Sequence, residues 1–153
     1  MTAFDPEDVR LMFVEQIKAM PGDFWKAARH SFNDREQQGN AFGDHTFGVR
    51  LGPNRPLSSA RSGMEQLLTT VIVRMRFRLK VKDAADARQT WPKEVRVVEN
   101  WVRARGSKID SSVRVDWLGS SEPVEVDGAF IDVDSSFTAT YWSAVTGVVD
   151  GRS

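Results

Sequence analysis

The 153-residue sequence contains no cysteine, only two histidines and a single tyrosine. Without cysteine the chain has no disulfide, no thiolate ligand for zinc and no cysteine nucleophile. No apolar run is long enough to cross a bilayer as a helix. The first eight residues carry Asp5, Glu7 and Asp8 instead of the apolar stretch of a signal peptide. We therefore expect a soluble cytoplasmic protein with no membrane partner.

The histidines, His30 and His45, belong to no His-x-x-x-His or His-Glu pair typical of a metal site, and we expect both on the surface. The chain also lacks a phosphate-binding loop, and the serines at 111–112 have no glycine elbow of the kind that activates a serine nucleophile. We expect no enzyme, no cofactor and no metal.

Acidic residues are dense between 125 and 134. Glu125, Asp127, Asp132 and Asp134 could bind a hard cation through their oxygens, because alternate residues of a strand project together. Their spacing differs from that of a calcium-binding loop. A solvated hairpin is the simpler interpretation.

Charge is unevenly distributed although the net charge is zero. Residues 1–60 carry a net charge of −1, residues 61–108 of +7 and residues 109–153 of −6. A basic middle could bind nucleic acid. Opposite charges of similar size in one chain more simply pair with each other, within a subunit or between subunits.

The N-terminal residues predict a helix that ends at Pro21-Gly22. Asp5 fits the cap and Pro6 the first helical position, and apolar residues follow at helical spacing. A weaker helical pattern covers 23–38. Residues 45–51 alternate as a short strand, and 52–66 read as a long exposed loop that carries Arg55 and Arg61.

The strongest pattern is the strict alternation at 67–82. Its odd positions from Val71 to Val81 are apolar, which predicts a long strand with one buried face. The other face is cationic; its basic residues are Arg74, Arg76, Arg78, Lys80 and Lys82. From Asp83 a helix follows, which Pro92 kinks or divides and which Gly106 ends.

The remainder reads as β-structure. We predict strands at 112–118 and 124–126, a turn at Asp127-Gly128, a long strand at 129–145 and a flexible tail at 146–153. If the two long strands pair antiparallel, the Arg and Lys row meets Asp132 and Asp134. Trp142 lies on the polar side of the last strand, which makes it a candidate for an intersubunit contact.

The order of elements indicates one α+β domain over 1–153, in which helices pack on a mostly antiparallel sheet with long strands.

The amphipathic N-terminal helix, the serine-rich loop after a strand, the long strand leading into a helix and the final aromatic strand FTATYW at 137–142 resemble the tail terminator proteins of long-tailed bacteriophages, the family that includes the lambda tail terminator. The resemblance covers most of the chain in size and element order. It implies an α/β sandwich whose copies form a ring, expected to be hexameric, on the last ring of tail-tube protein. Such a ring stops tube growth and presents a surface to the head.

The resemblance implies a virion structural protein, made in the host cytoplasm, with these partners: copies of itself, the tail-tube protein, the head–tail connector or neck proteins, and DNA that passes through the lumen without sequence-specific binding. The basic residues at 55, 61, 74, 76, 78 and 80, with Asp132, Asp134 and Trp142, are the candidates for the subunit or partner interface. A neck or head-completion adaptor is an alternative. A nucleic-acid-binding module that uses the basic strand at 74–82 is another.

Overall fold

The computed structural model describes residues 3–22, 25–27, 45–57, 63–79, 84–109 and 112–145. The helices in this part of the chain are α1 (Pro6–Lys18) and α2 (Ala84–Ile109), and the strands are β1 (Lys26–Ala27), β2 (His45–Pro56), β3 (Met64–Arg78), β4 (Arg114–Ser120), β5 (Val124–Val126) and β6 (Phe130–Ala144). The fold is α+β with a mostly antiparallel sheet, as the sequence predicts.

Helix α1 begins where its cap signals predict. Asp5 accepts a hydrogen bond from the Asp8 backbone N–H at 2.8 Å, and the Asp8 carboxylate accepts one from the Asp5 N–H at 3.0 Å. This reciprocal capping box satisfies two backbone donors that a helix start leaves unpaired. Val9, Phe13 and Ile17 form the buried side of the helix, so α1 is positioned by both its cap and its apolar face.

The described sheet has the strand order β1-β2-β3-β6-β4, and β5 pairs with β6 beside β4. The long strands β3 and β6 form its centre and pair antiparallel from Met64↔Ala144 to Arg78↔Phe130. The only parallel pair in the described sheet is β1 with β2. Most of the framework is therefore set by the two central strands.

Both described helices pack on one face of the sheet, formed by the odd-numbered residues of β3 and β6. The rings of Phe13 and Phe137 lie 5.6 Å apart between α1 and β6. Helix α2 contributes Val95, Val98 and Val102, all buried. The core lies between this helical layer and the sheet.

A tryptophan ties the two helices together. Trp101 on α2 donates its indole N–H to the Gln16 carbonyl of α1 at 2.7 Å. The N-terminal segment is also attached to the sheet, because the Phe4 N–H bonds the Trp142 carbonyl at 2.8 Å, beyond the end of β4. The two helices are thus bonded to each other, and the segment before α1 is bonded to β6.

Two structured segments differ from the sequence predictions. The predicted loop at 52–66 is largely a β-hairpin, because β2 continues to Pro56, β3 starts at Met64, and Asn54 and Arg55 pair with Thr69 and Leu68. A bulge between Leu51 and Asn54 keeps the strands paired beyond the glycine and first proline. The helix predicted over 23–38 is wrong at 25–27, where the chain forms β1; residues 28–44 lie outside the described part.

Helix α2 is also longer than predicted. It runs through Pro92 as a single helix and continues past Gly106 to Ile109. A helix whose apolar face is packed against a sheet tolerates one proline, because tertiary contacts outweigh local propensity. The predicted tail at 146–153 lies outside the described residues.

Candidate assembly surface

Two ion pairs cross from β3 to β6 on the face of the sheet opposite the described helices. Arg76 donates Nε and Nη2 to the two carboxylate oxygens of Asp132, each at 2.7 Å. Arg74 does the same to Asp134 at 2.8 and 3.1 Å. The predicted antiparallel pairing of the basic and acidic strands is therefore confirmed.

The two pairs differ in their exposure to solvent. The Arg76 side chain is 1% exposed and that of Asp132 7%, whereas Arg74 and Asp134 are 27% and 22% exposed. The Phe130 ring lies 4.9 Å from the Arg76 guanidinium carbon. Because Arg76 is buried and bidentate, it cannot serve as a free cation for phosphate groups, which removes support from the nucleic-acid interpretation of the basic strand.

The other predicted interface residues are spread along the same sheet. Arg55 is exposed near the end of β2, and Arg78 is partly exposed opposite Phe130 on β6. Trp142 is partly exposed on the even-numbered face, which confirms its predicted side of the strand. Arg61 and Lys80 lie outside the described residues.

Past the ion pairs, the even-numbered face of β3 and β6 continues as a partly exposed surface without charge. We call this surface the open face; it consists of Leu68, Thr70, Ile72, Ser136, Thr138 and Thr140. No described helix lies on it, since both described helices pack on the opposite side of the sheet. The open face is thus an available surface in the part of the chain that the structure describes.

Basic residues flank the open face on both sides. The pairing register places Arg55 beside Leu68 on one side and Arg114 beside Thr140 on the other. Arg50 lies beside Ile72 and is 46% exposed, 3.6 Å from Asp134. The face is therefore a neutral floor with Arg50 and Arg55 on its β2 margin; on the β4 margin the charge of Arg114 is balanced by Asp116, 3.1 Å away.

Both edges of the described sheet have features that discourage pairing with another strand. Outside the short contact with β1, β2 contains Pro53 and Pro56, which have no N–H to donate, and a bulge. On the other edge, β4 is interrupted by a bulge between Trp117 and Gly119. These features make the open face a better candidate for assembly than either edge.

An acidic cleft of about 400 Å³ lies beside β5, at the ion-pair end of the face. Glu125 and Asp127 line it together with Asp132 and Asp134, the carboxylates that the two arginines already bind. Among the described residues, no group of three or more His, Asp and Glu side chains is arranged to hold a metal ion.

Sequence patterns did not reveal a buried carboxylate on α2. Glu99 is 2% exposed and accepts hydrogen bonds from Ser135 Oγ at 2.5 Å and from Trp117 Nε1 at 2.9 Å. Arg96 lies 3.7 Å from the other oxygen and stacks over Trp117. The cluster joins α2, β4 and β6, and the only local signal is the i,i+3 spacing of Arg96 and Glu99.

His45 is more buried than predicted for a surface histidine. Its side chain is 15% exposed, lies 3.0 Å from Glu94 of α2, and contacts the rings of Trp25 and Phe77 edge-on. These contacts assign it a packing role where β2 meets α2. His30 lies outside the described residues.

The described helices include none that is both long and apolar enough to span a membrane. No known protein family matches the chain, and no curated protein is significantly similar to it.

Proposed function

We propose that this chain is a virion structural protein of a long-tailed phage that self-assembles into a ring, expected to be hexameric, on the end of the tail tube. In this role the ring stops tube polymerisation and forms part of the joint with the head. The single observation that best supports the proposal is the open face, which no described helix covers, because a largely neutral sheet face of this kind is suited to contact another subunit.

Three features agree with a scaffolding role. The α+β fold is the one that the resemblance implies. The basic and acidic strands are joined within the subunit, so the open face next to them has a fixed shape. In the described part of the β2–β3 hairpin, residues 53–57 are exposed.

The experiment compares tails assembled with and without the chain. Purified tail-tube protein from the same virus should polymerise to uncontrolled lengths alone and to a fixed length with the chain present. Electron micrographs give the length distribution, and light scattering gives the mass of the complex at the tube end. Tube lengths that do not respond to the added chain would overturn the proposal.

The same preparation distinguishes a neck adaptor. An adaptor binds tailless heads and leaves tube length unchanged, whereas a terminator binds headless tails. Sedimentation of the chain with each particle separates the two roles.

A further inference from the structure

The outward side of α1, opposite its buried residues, is exposed. Leu11 is 44% exposed, on the side of the helix opposite Val9 and Phe13. Glu7 and Glu15 lie four residues before and after it, so all three share one side of the helix. The surface is therefore a single apolar residue between carboxylates.

These carboxylates are exposed. Glu15 is 67% exposed and lies 3.6 Å from Lys18, and Glu7 is 56% exposed. The hydrogen bond from Arg10 lowers the pKa of Glu7. Asp8 adds a further exposed acid, so this side of the helix carries three acids against Lys18 and Arg10, which is bonded to Glu7.

The open face has the complementary character. Its neutral floor is bounded by Arg50 and Arg55 on β2 and by Arg114 on β4. From β2 to β4 there are three strand spacings, roughly 14 Å. Glu7 and Glu15 are eight residues apart, about 12 Å along the axis of α1, so a helix that crosses the strands places one carboxylate near each margin.

We infer that the outward side of α1 in one copy docks on the open face of the sheet in the next copy. Leu11 then contacts the floor near Leu68 and Ile72, and Glu7 and Glu15 meet the basic margins. The helix becomes a layer between two sheets, its own and its neighbour's. The inference rests on the self-assembly proposed above and names the surfaces that carry it.

The contact joins two different surfaces of the same chain, so it is heterologous. Each copy offers one α1 and one open face, and repetition of such a contact generates a closed ring or an open filament instead of a two-fold dimer. This symmetry is the one that a ring on a tail tube requires.

Charge reversal provides the test. Glu15→Arg and Arg55→Glu each place like charges at the proposed contact and should weaken self-association by roughly tenfold or more, measured by sedimentation velocity over a concentration series. The double variant restores opposite charges and should recover most of the loss. Lys93→Glu, an equal charge change at an exposed position of α2, is the matched control and should have no effect.

Mixing the single variants tests the heterologous geometry. A Glu15→Arg copy retains a native open face, and an Arg55→Glu copy retains a native α1. If the two variants alternate in the assembly, each contact pairs opposite charges at positions 15 and 55. The mixture should therefore associate more strongly than either variant alone. Thermal unfolding profiles that match the wild type show that all variants are folded.

Cross-linking gives an independent readout, because the chain has no cysteine of its own. A short bis-maleimide should join a Leu11→Cys copy to a Thr138→Cys copy, and should fail to join Val97→Cys, on the exposed side of α2, to Thr138→Cys. A wild type that stays monomeric at all concentrations, or additive charge reversals, would overturn the inference.

Failure of this inference and failure of the proposed function give different results. If Arg55→Glu abolishes tail binding but leaves self-association intact, the open face binds tube protein, and this inference is wrong while capping stands. If the variants dissociate the assembly as expected but tube length never responds to the chain, the interface is right and the capping role is wrong.

Discussion

The buried side chains of Arg76 and Asp132 should depend strongly on each other for the stability of the folded chain. Replacement of Asp132 by Ala leaves a guanidinium that is 1% exposed without its bidentate partner. Removal of one member of a buried pair typically costs about 3–5 kcal/mol of the free energy of unfolding. Arg76→Met should cost a similar amount, because it leaves the carboxylate buried.

Replacing both members together has a different expected result. An apolar pair, Arg76→Met with Asp132→Leu, removes both desolvated charges and keeps most of the packing volume, a change that is often neutral or stabilising. The double variant should therefore be more stable than either single variant. Compared with Arg76→Met and Asp132→Leu made singly, the two changes should be non-additive by about 2–3 kcal/mol, the upper range for side chains in contact.

Urea unfolding followed by tryptophan fluorescence measures these free energies. The matched control is Arg74→Met with Asp134→Ala, in the neighbouring ion pair between β3 and β6. The side chains of this pair are 27% and 22% exposed. Its single variants should cost about 1 kcal/mol or less. A cost below about 1 kcal/mol for Asp132→Ala, or strict additivity at the buried pair, would refute the reasoning, since the buried charges would then not depend on each other.

Three further predictions follow from buried or constrained groups. Glu99→Ala should lower the free energy of unfolding by about 2–3 kcal/mol, because Trp117 Nε1 and Ser135 Oγ lose their shared buried acceptor, and Glu99→Gln should lower it less in the same urea assay. Burial raises the pKa of Tyr141, so its contribution to the free energy of unfolding should be fully present below about pH 10 and should be lost as the pH rises through the folded-state pKa. Because the chain has a single tyrosine, an absorbance titration reports on this group alone. A tyrosine that ionises at its ordinary pKa in the folded chain would contradict this prediction. Gly128→Ala should cost about 1–2 kcal/mol in thermal or urea unfolding, because φ is +65° there, and an unchanged midpoint would exclude strain at this turn.

The central strands were predictable because their signals agree at two levels. Strict alternation in β3 and in β6 fixes which side of each strand is buried. The positions of Arg74 and Asp134 then favour one register, and a slip of one residue would move every apolar side chain to the other face. The turn between β5 and β6 follows from Asp127-Gly128, both of which have positive φ.

The hairpin end and the buried cluster were not predictable by the same reasoning. Pro53 and Pro56 are typical of a loop, and they fit a strand here because β2 is at the edge of the described sheet except at 46–47. Glu99 has an ordinary place in a charged helix, and its burial depends on Trp117 and Ser135, which are distant in sequence. Non-local partners of this kind leave no periodic signal.

The predicted interface residues separate into two groups according to their burial. Arg76 and Asp132 are buried and paired within the subunit, so substitutions there act on folding first and on assembly only as a consequence.

Arg55 is exposed on the margin of the open face, two steps beyond the bulge of β2, and a substitution there should leave folding intact. Both groups lie on paired strands of one sheet. The ion pairs therefore stabilise the sheet on which the residues of the margins are exposed. An assembly defect from Arg55→Glu with normal unfolding, beside an unfolding defect from Asp132→Ala, would separate the residues that bind a neighbour from those that shape the binding surface.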